Sequence, residues 1–364
     1  TVRVGSLASS LRGGLALPNV PRLKRNALRC VAGHAPDLRS TAVHQWVLCA
    51  AQRRRVPPAS YPAASLERVT GLSPWGNWSD ELALVRGDVV EHAASVRYEV
   101  RNASLHGPVV YCGAAKEHAG YGKDDWMRPR SERRVELAFA HLVSTSGGSA
   151  YFGNYLMADF PAALWVEDAL ARLWLPTKPY PHGEGYRHLL DLDDAPAPAY
   201  ARIERLFVYT DYGQNASKEE RFRTLRSRLR SHLARPIADA ATGVFIRRGT
   251  AGEQRVLLNE QAVVERLEAR GIRIIDPSVA SAEEVAAQSL DTQVVIAVEG
   301  SHLAHAIYSA SETATFIVVQ PPDRFSMTFK AFTDCMGMRF SFVVGDARPG
   351  GFTLRIDELE SMLD

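Results

Sequence analysis

Residues 292–310 read TQVVIAVEGSHLAHAIYSA, and this stretch decides the fold. Residues 294–298 form an unbroken β-branched and small apolar run, the pattern of a strand buried on both faces of a parallel sheet. Glu299, Gly300, Ser301 and His302 then turn the chain, after which Leu303, Ala306 and Ile307 recur at helical spacing. A strand entering a helix through a glycine turn gathers free backbone N–H groups and the positive dipole end at one point, which suits an anion and phosphate above all. An ordinary strand–helix junction has the same outline but needs one capping group. Here Glu299, Ser301, His302 and His305 crowd into seven residues, which favours a site.

Working outward, residues 236–345 alternate strand and helix. Strands are expected at 243–246, 272–275, 294–298, 315–319 and 340–344. Helices are expected at 259–270 and at 281–288, the latter capped by Ser281 with Glu283 and Glu284 in its first turn. A terminal helix is expected over 356–363. Such alternation predicts an α/β fold with a doubly wound parallel sheet, and a ligand site outside the carboxyl ends of its strands. Arg247, Arg248, Asp276, residues 299–302 and Gln320 all fall at those ends. Two arginines, a helix terminus and histidines on one side of one domain describe a nucleotide-diphosphate site.

The N-terminal half is less regular. Val43, Trp46, Val47 and Ala50 share a helical face, predicting a helix over 41–53 that Pro57-Pro58 ends. Short apolar runs at 82–85, 89–90, 96–100 and 109–112 read as strands of a small sheet, and 135–143 as a buried strand. Residues 151–165, YFGNYLMADFPAALW, read as a helix beginning near Asn154, carrying Asp159 beside its apolar face and continuing through 166–175. Asp159 is either a surface residue complementing the helix dipole or a general-base candidate facing a cleft. Strands are expected at 187–192 and 206–209, and a basic helix at 217–234 that Pro236 stops. Asp191 and Asp193 have the spacing of a metal-binding DxD pair, although DLDDAP reads better as a solvent turn.

Composition bounds the rest. The 364 residues suffice for two domains, and 46% hydrophobic with 23% charged residues is globular. A net charge of +2 points to neither nucleic acid nor membrane, although arginines cluster at 22–29, 53–55, 128–134 and 221–230. Cys30, Cys49, Cys112 and Cys335 lack zinc-ligand spacing; a Cys30–Cys49 disulfide is left open. No apolar run approaches a bilayer span. Because the sequence begins at Thr1, a preceding anchor or signal is left open as well. Sequons stand at Asn77, Asn102 and Asn215.

These motifs, in this order, resemble glycosyltransferase family 61. Phe245-Ile-Arg-Arg-Gly249, Arg255 with Asn259-Glu260, Gly271-Ile with Asp276-Pro277, and Val298-Glu-Gly-Ser-His-Leu-Ala-His305 are similar to the family's strand-end arginines, its Arg…Asn-Glu pair and its glycine–histidine segment. Tyr151-Phe-Gly-Asn154 with Asp159-Phe-Pro161 resembles its Phe-Gly-His…Asp/Glu-x-Leu-Pro motif. The resemblance covers roughly residues 150–345. It implies a GT-B-like fold of two Rossmann-like domains with a nucleotide-sugar cleft between them: an acceptor-side domain over 1–235, a donor domain over 236–345 and a helical extension over 346–364. It implies inverting transfer from a nucleotide sugar, UDP-linked in the known branches, to a glycan or glycoconjugate hydroxyl, with no metal or other cofactor. Asp159 is then the expected base. Arg247, Arg248, Glu299, Gly300, Ser301, His302 and His305 are the expected donor-binding set, with Asn259 and Glu260 fixing the arginine loop. Asn154 stands where the family carries histidine, so either it replaces that residue's hydrogen bonds or the chain is a silent sugar-nucleotide-binding relative. A metal-dependent transferase using Asp191 and Asp193 is the third reading. Expected partners are donor and acceptor, without nucleic acid, and with peripheral membrane association left open. The Arg/Ala-rich composition suits the cytoplasmic face of a bacterial membrane; the sequons suit a Golgi lumen.

Overall fold

A computed structural model describes residues 16–32, 36–125, 127–129, 133–233, 242–249 and 254–363. The expected boundary at 235/236, Pro236 and part of the 128–134 cluster lie outside these residues, as does the side chain of Cys30. Cys49, Cys112 and Cys335 carry free thiols.

The C-terminal half is a five-stranded, all-parallel sheet of Gly243–Ile246, Ile272–Ile275, Val294–Val298, Thr315–Gln320 and Arg339–Val344. Numbered by sequence within this sheet, the spatial order is 2-1-3-4-5. Alternating side chains feed two cores. Val244, Ile246, Val295, Ala297, Phe316 and Val318 point into one, and Phe245, Ile296, Val298, Ile317 and Val319 into the other. Helix Ala282–Gln288 covers the first face and helix Glu260–Ala269 the second. Ser281 and Glu284 close a reciprocal capping box, as their spacing predicts. The sheet is therefore doubly wound, and its strand order reverses between the strands ending at Ile246 and Val298.

The N-terminal half carries a seven-stranded mixed sheet. Val135–Leu142 pairs parallel with Arg172–Leu173 and with Tyr200–Thr210; Ser95–His106, Val109–Cys112 and Ala115–His118 continue from Tyr200–Thr210 as an antiparallel meander. Four expectations change here. Residues 41–53 are not helical: His44–Cys49 is an edge strand on Ser95–His106, and Gln52–Arg55 pairs with Val89–His92. The run 82–85 lies in helix Trp78–Arg86, which Asn77 caps and Gly87 ends in the left-handed region. The segment 187–192 belongs to helix Gly183–Leu189 and the turn after it. Residues 166–175 are a turn, a short 3-10 helix and the strand Arg172–Leu173 rather than a continuous helix. Helices Val20–Ala32 and Thr328–Cys335 had no sequence expectation.

Several connections tie the halves together. Residues 59–81 run along the last parallel strand and the loop after Gln320: Phe342 N–H donates to Ser60 O (3.0 Å), Phe325 N–H to Gly71 O (2.9 Å) and Ser73 N–H to Phe325 O (3.0 Å). The first core also joins Leu156 and Phe160 to Leu303 and Ile307, and the buried Tyr308 hydroxyl donates to Leu156 O (2.6 Å).

Candidate active site at the carboxyl ends of the parallel strands

The reversal point collects the expected polar residues at the ends of the first and third parallel strands. Consecutive side chains beyond a strand diverge, and so do the two arginines. Arg247 turns to Glu260 (Nη2–Oε2 2.7 Å) and lies 3.8 Å from Asp276. Arg248 turns to the glycine turn, where its Nη1 donates to Glu299 O at 2.8 Å. Arg255 reaches the same carbonyl at 2.9 Å and pairs through Nε with Glu299 Oε2 at 3.1 Å. Two guanidinium groups thus converge on one peptide. Gly300 makes this approach feasible: its φ is +148°, and a Cβ there would overlap the Arg248 guanidinium and lie 2.7 Å from Arg255 Nη1.

Residues 301–306 form a 3-10 helix rather than the expected α-helix. Ser301 packs against Gly153, where a Cβ would lie 3.3 Å from Ser301 Cα. The two motifs most separated in sequence therefore touch. His302 lies beside the arginines. Its Nε2 is buried with no hydrogen-bond partner among the described residues, and burial, then Arg248, His305 and Arg255, holds its pKa well below the histidine range. His305 faces away, into an aromatic cluster with Tyr186 (Oη to Nδ1 3.0 Å), Phe152 and His182. Burial pushes its pKa down to about 3, so it is neutral.

The second motif is placed differently from a cleft-facing helix. Asp159 is 0% exposed and ends a five-residue π-helical turn, Tyr155–Asp159. Its carboxyl accepts from Thr145 Oγ1 (2.7 Å) and from Thr145 N–H (3.2 Å). Thr145 Oγ1 in turn accepts from Gly148 N–H (2.9 Å), and Gly148 lies flush against the carboxyl. Burial, opposed by the Thr145 bonds, raises the Asp159 pKa to about 8, so the group is mostly neutral at pH 7. Asn154 is exposed, with its amide over Gly147.

Other expected residues have local tasks. Asn259 brackets Leu354, donating to its O and accepting from its N–H at 2.9 Å each. Gln320 closes the following loop on Ser326, and Asp276 accepts from Ser278. Asp191 pairs with His232 (2.6 Å) and Asp193 with His188 (2.8 Å) in an exposed turn. The sequon Asn215 is fully buried, capping helix Ala216–His232 and donating to Ser95 Oγ.

Sequence reasoning missed two participants. Arg255 was visible only as part of a motif, and its contact with Glu299 crosses 44 residues. Glu81 directly precedes the run 82–85 that reads as a strand, and it lies in helix Trp78–Arg86. It is buried and accepts from Met327 N–H at 2.6 Å. Burial raises its pKa, with Asp80 and Glu299 adding to the rise.

A doubly wound sheet with convergent arginines at its reversal point offers fixed positive charge where such sheets bind ligands. A comparison with known families points the same way: residues 163–316 match the family model Glycosyltransferase 61. The matched stretch contains the Arg247–Arg248 and Glu299–His305 motifs, and it begins after Asn154 and Asp159. No curated protein matches the chain. The family implies a glycosyltransferase, with a sugar donor and a glycan acceptor in general terms.

Proposed function

We propose that the protein is an inverting, metal-independent glycosyltransferase that moves a sugar from a nucleotide-diphosphate donor, a UDP-sugar, to a hydroxyl of a glycan or glycoconjugate. Its units would be GT-B-like: residues 1–235 on the acceptor side, apart from the segment at 59–81 that packs across, residues 236–345 holding the donor, and a helical extension over 346–364. The observation that carries the reading is the pair Arg248 and Arg255, held together on the Glu299–Gly300 peptide beside His302. Two fixed cations facing a leaving diphosphate stabilise the charge that develops as the glycosidic bond breaks, the task a metal performs elsewhere. Arg247, tied to Glu260, flanks this pair, and Ser301 supplies backbone N–H and hydroxyl donors.

The acceptor hydroxyl must lose a proton as it attacks. Asp159 remains our candidate base, and its raised pKa suits proton exchange near neutrality. For it to touch an acceptor, the Ser146–Ala150 turn must move off the carboxyl, and Gly147 and Gly148 give that turn its freedom. Asn154, exposed at the junction of the two motifs, would bind the acceptor. The test is release of UDP from a panel of UDP-sugars supplied with oligosaccharide acceptors: turnover that persists in EDTA and disappears in Asp159→Asn supports the proposal. The closed packing around Asp159 favours one second reading, a relative that binds sugar nucleotides without turning them over. Nucleotide binding with no turnover of any donor would select it.

A further inference from the structure

Helix Val20–Ala32 is amphipathic, but it is mounted with its polar side inward. Val20, Leu23 and Ala27 follow i, i+3, i+7 spacing along one stripe, and Arg22 and Arg25 lie on the opposite one. The arginine stripe faces the protein. Arg22 donates to Asp124 O and lies 3.5 Å from its carboxylate; Arg25 is buried; and Asn19, just before the helix, is fully buried and donates to Asp125 O at 2.8 Å. The apolar stripe faces out: Val20 is 61%, Leu23 47% and Leu28 40% exposed. Met127, 48% exposed, extends this surface, because it pairs with Pro18 two residues before Val20.

A helix docked through charged groups and showing leucines to solvent is the reverse of the arrangement that stabilises a helix on its own core. Its rim is cationic. Lys24 and Arg29 on the helix and Lys123 beside Asp124 are exposed, the helix has no acidic residue, and the two acids that follow Lys123 are Asp124, which is ion-paired, and the exposed Asp125. Apolar side chains ringed by lysine and arginine match the acyl–headgroup boundary of an anionic bilayer. We propose that this face seats the protein on a membrane surface containing anionic lipid, with Val20, Leu23, Leu28 and Met127 entering the interface and Lys24, Arg29 and Lys123 meeting the headgroups. Among the described residues no helix is long and apolar enough to cross a membrane; the contact proposed here lies in the plane of the surface.

The test is flotation of the full chain with vesicles of phosphatidylcholine alone or with about a third phosphatidylglycerol. The proposal expects binding roughly tenfold or more tighter to the anionic vesicles, weakened by high salt. Leu23→Asp should abolish it with Tm unchanged, and Lys24→Glu/Arg29→Glu should remove the lipid preference. Absence of binding to anionic vesicles overturns it. So does a fall in Tm of several degrees in Leu23→Asp without lipid, which would mean that preceding residues of the chain cover the face. A dimer in solution that Leu23→Asp dissociates also overturns it, because a second copy would then be the occupant. None of these readouts depends on the donor or the reaction.

Discussion

Replacing Gly300 with alanine is the sharpest perturbation of the reversal point. Its φ of +148° and ψ of 175° lie in a region open almost only to glycine, so any side chain costs about 1–3 kcal/mol in backbone strain. The added Cβ also falls where the Arg248 guanidinium sits, so the charge-assisted bond to Glu299 O must break or bend, at about 1.5–3 kcal/mol. Together Gly300→Ala should cost about 2.5–6 kcal/mol, a large share of a domain's stability. Gly337→Ala is the control: its φ is +77° with nothing within 4 Å of an added Cβ, so it carries backbone strain without crowding. Urea denaturation of both variants separates the two contributions, read as shifts in the midpoint at constant slope. UDP affinity of Gly300→Ala, measured where the variant is folded, should fall at least tenfold. A loss under about 0.5 kcal/mol, the size of an ordinary surface change, with UDP affinity intact, would refute the account of the arginine clamp.

Other outcomes follow from single residues. Arg255→Met removes one of two cations on the Glu299 carbonyl and leaves the Glu299 carboxylate without its Nε partner; isothermal titration should show UDP binding weakened about tenfold or more, while Arg247→Met, whose partner is Glu260, should cost less. The Asp159 pKa is raised to about 8 in the folded state against about 3.9 unfolded, so the native state binds the extra proton between those values. Stability from this group is therefore fully present at low pH and declines as pH rises to about 8, by at most about 1.4 kcal/mol per unit; Asp159→Asn should flatten that slope in paired melts from pH 5 to 8. Ser281→Ala opens the capping box on helix Ala282–Gln288 and should cost about 1 kcal/mol, with nucleotide binding unchanged. Gly153→Ala places a Cβ 3.3 Å from Ser301 Cα, and should lower UDP affinity with a smaller loss of stability than Gly300→Ala.

The parallel sheet was legible in the sequence because both of its faces are buried. Residues 243–246 and 294–298 are runs without a charged residue and 272–275 is apolar but for Arg273, and the observed limits of all three coincide with the expected ones. Patterns failed where the physical cause lay elsewhere in the fold. Val43, Trp46, Val47 and Ala50 suit a helical face, yet that segment pairs with Ser95–His106 as an exposed edge strand; short apolar spacing cannot separate the two periods. The run 82–85 reads as a strand until Asn77 and Gly87 are recognised as the caps of one helix. At the site, strand ends predicted which side of the sheet carries the polar residues. They did not predict that Arg248 and Arg255 would share the Glu299 carbonyl, that Asn259 would bracket Leu354, or that Thr145 would enclose Asp159. Those contacts join residues 14 to 95 positions apart, beyond the reach of any helical or strand periodicity.

The most direct test of the central claim is a titration of the purified protein with UDP and with UDP-sugars in the presence of EDTA, followed by Tm and calorimetry. The account predicts saturable stabilisation that survives chelation, rising by about 2.7 kcal/mol at a hundredfold excess over Kd, and absent in Arg248→Ala/Arg255→Ala. No stabilisation by any nucleotide at millimolar concentration, or stabilisation that the double variant retains in full, would contradict it.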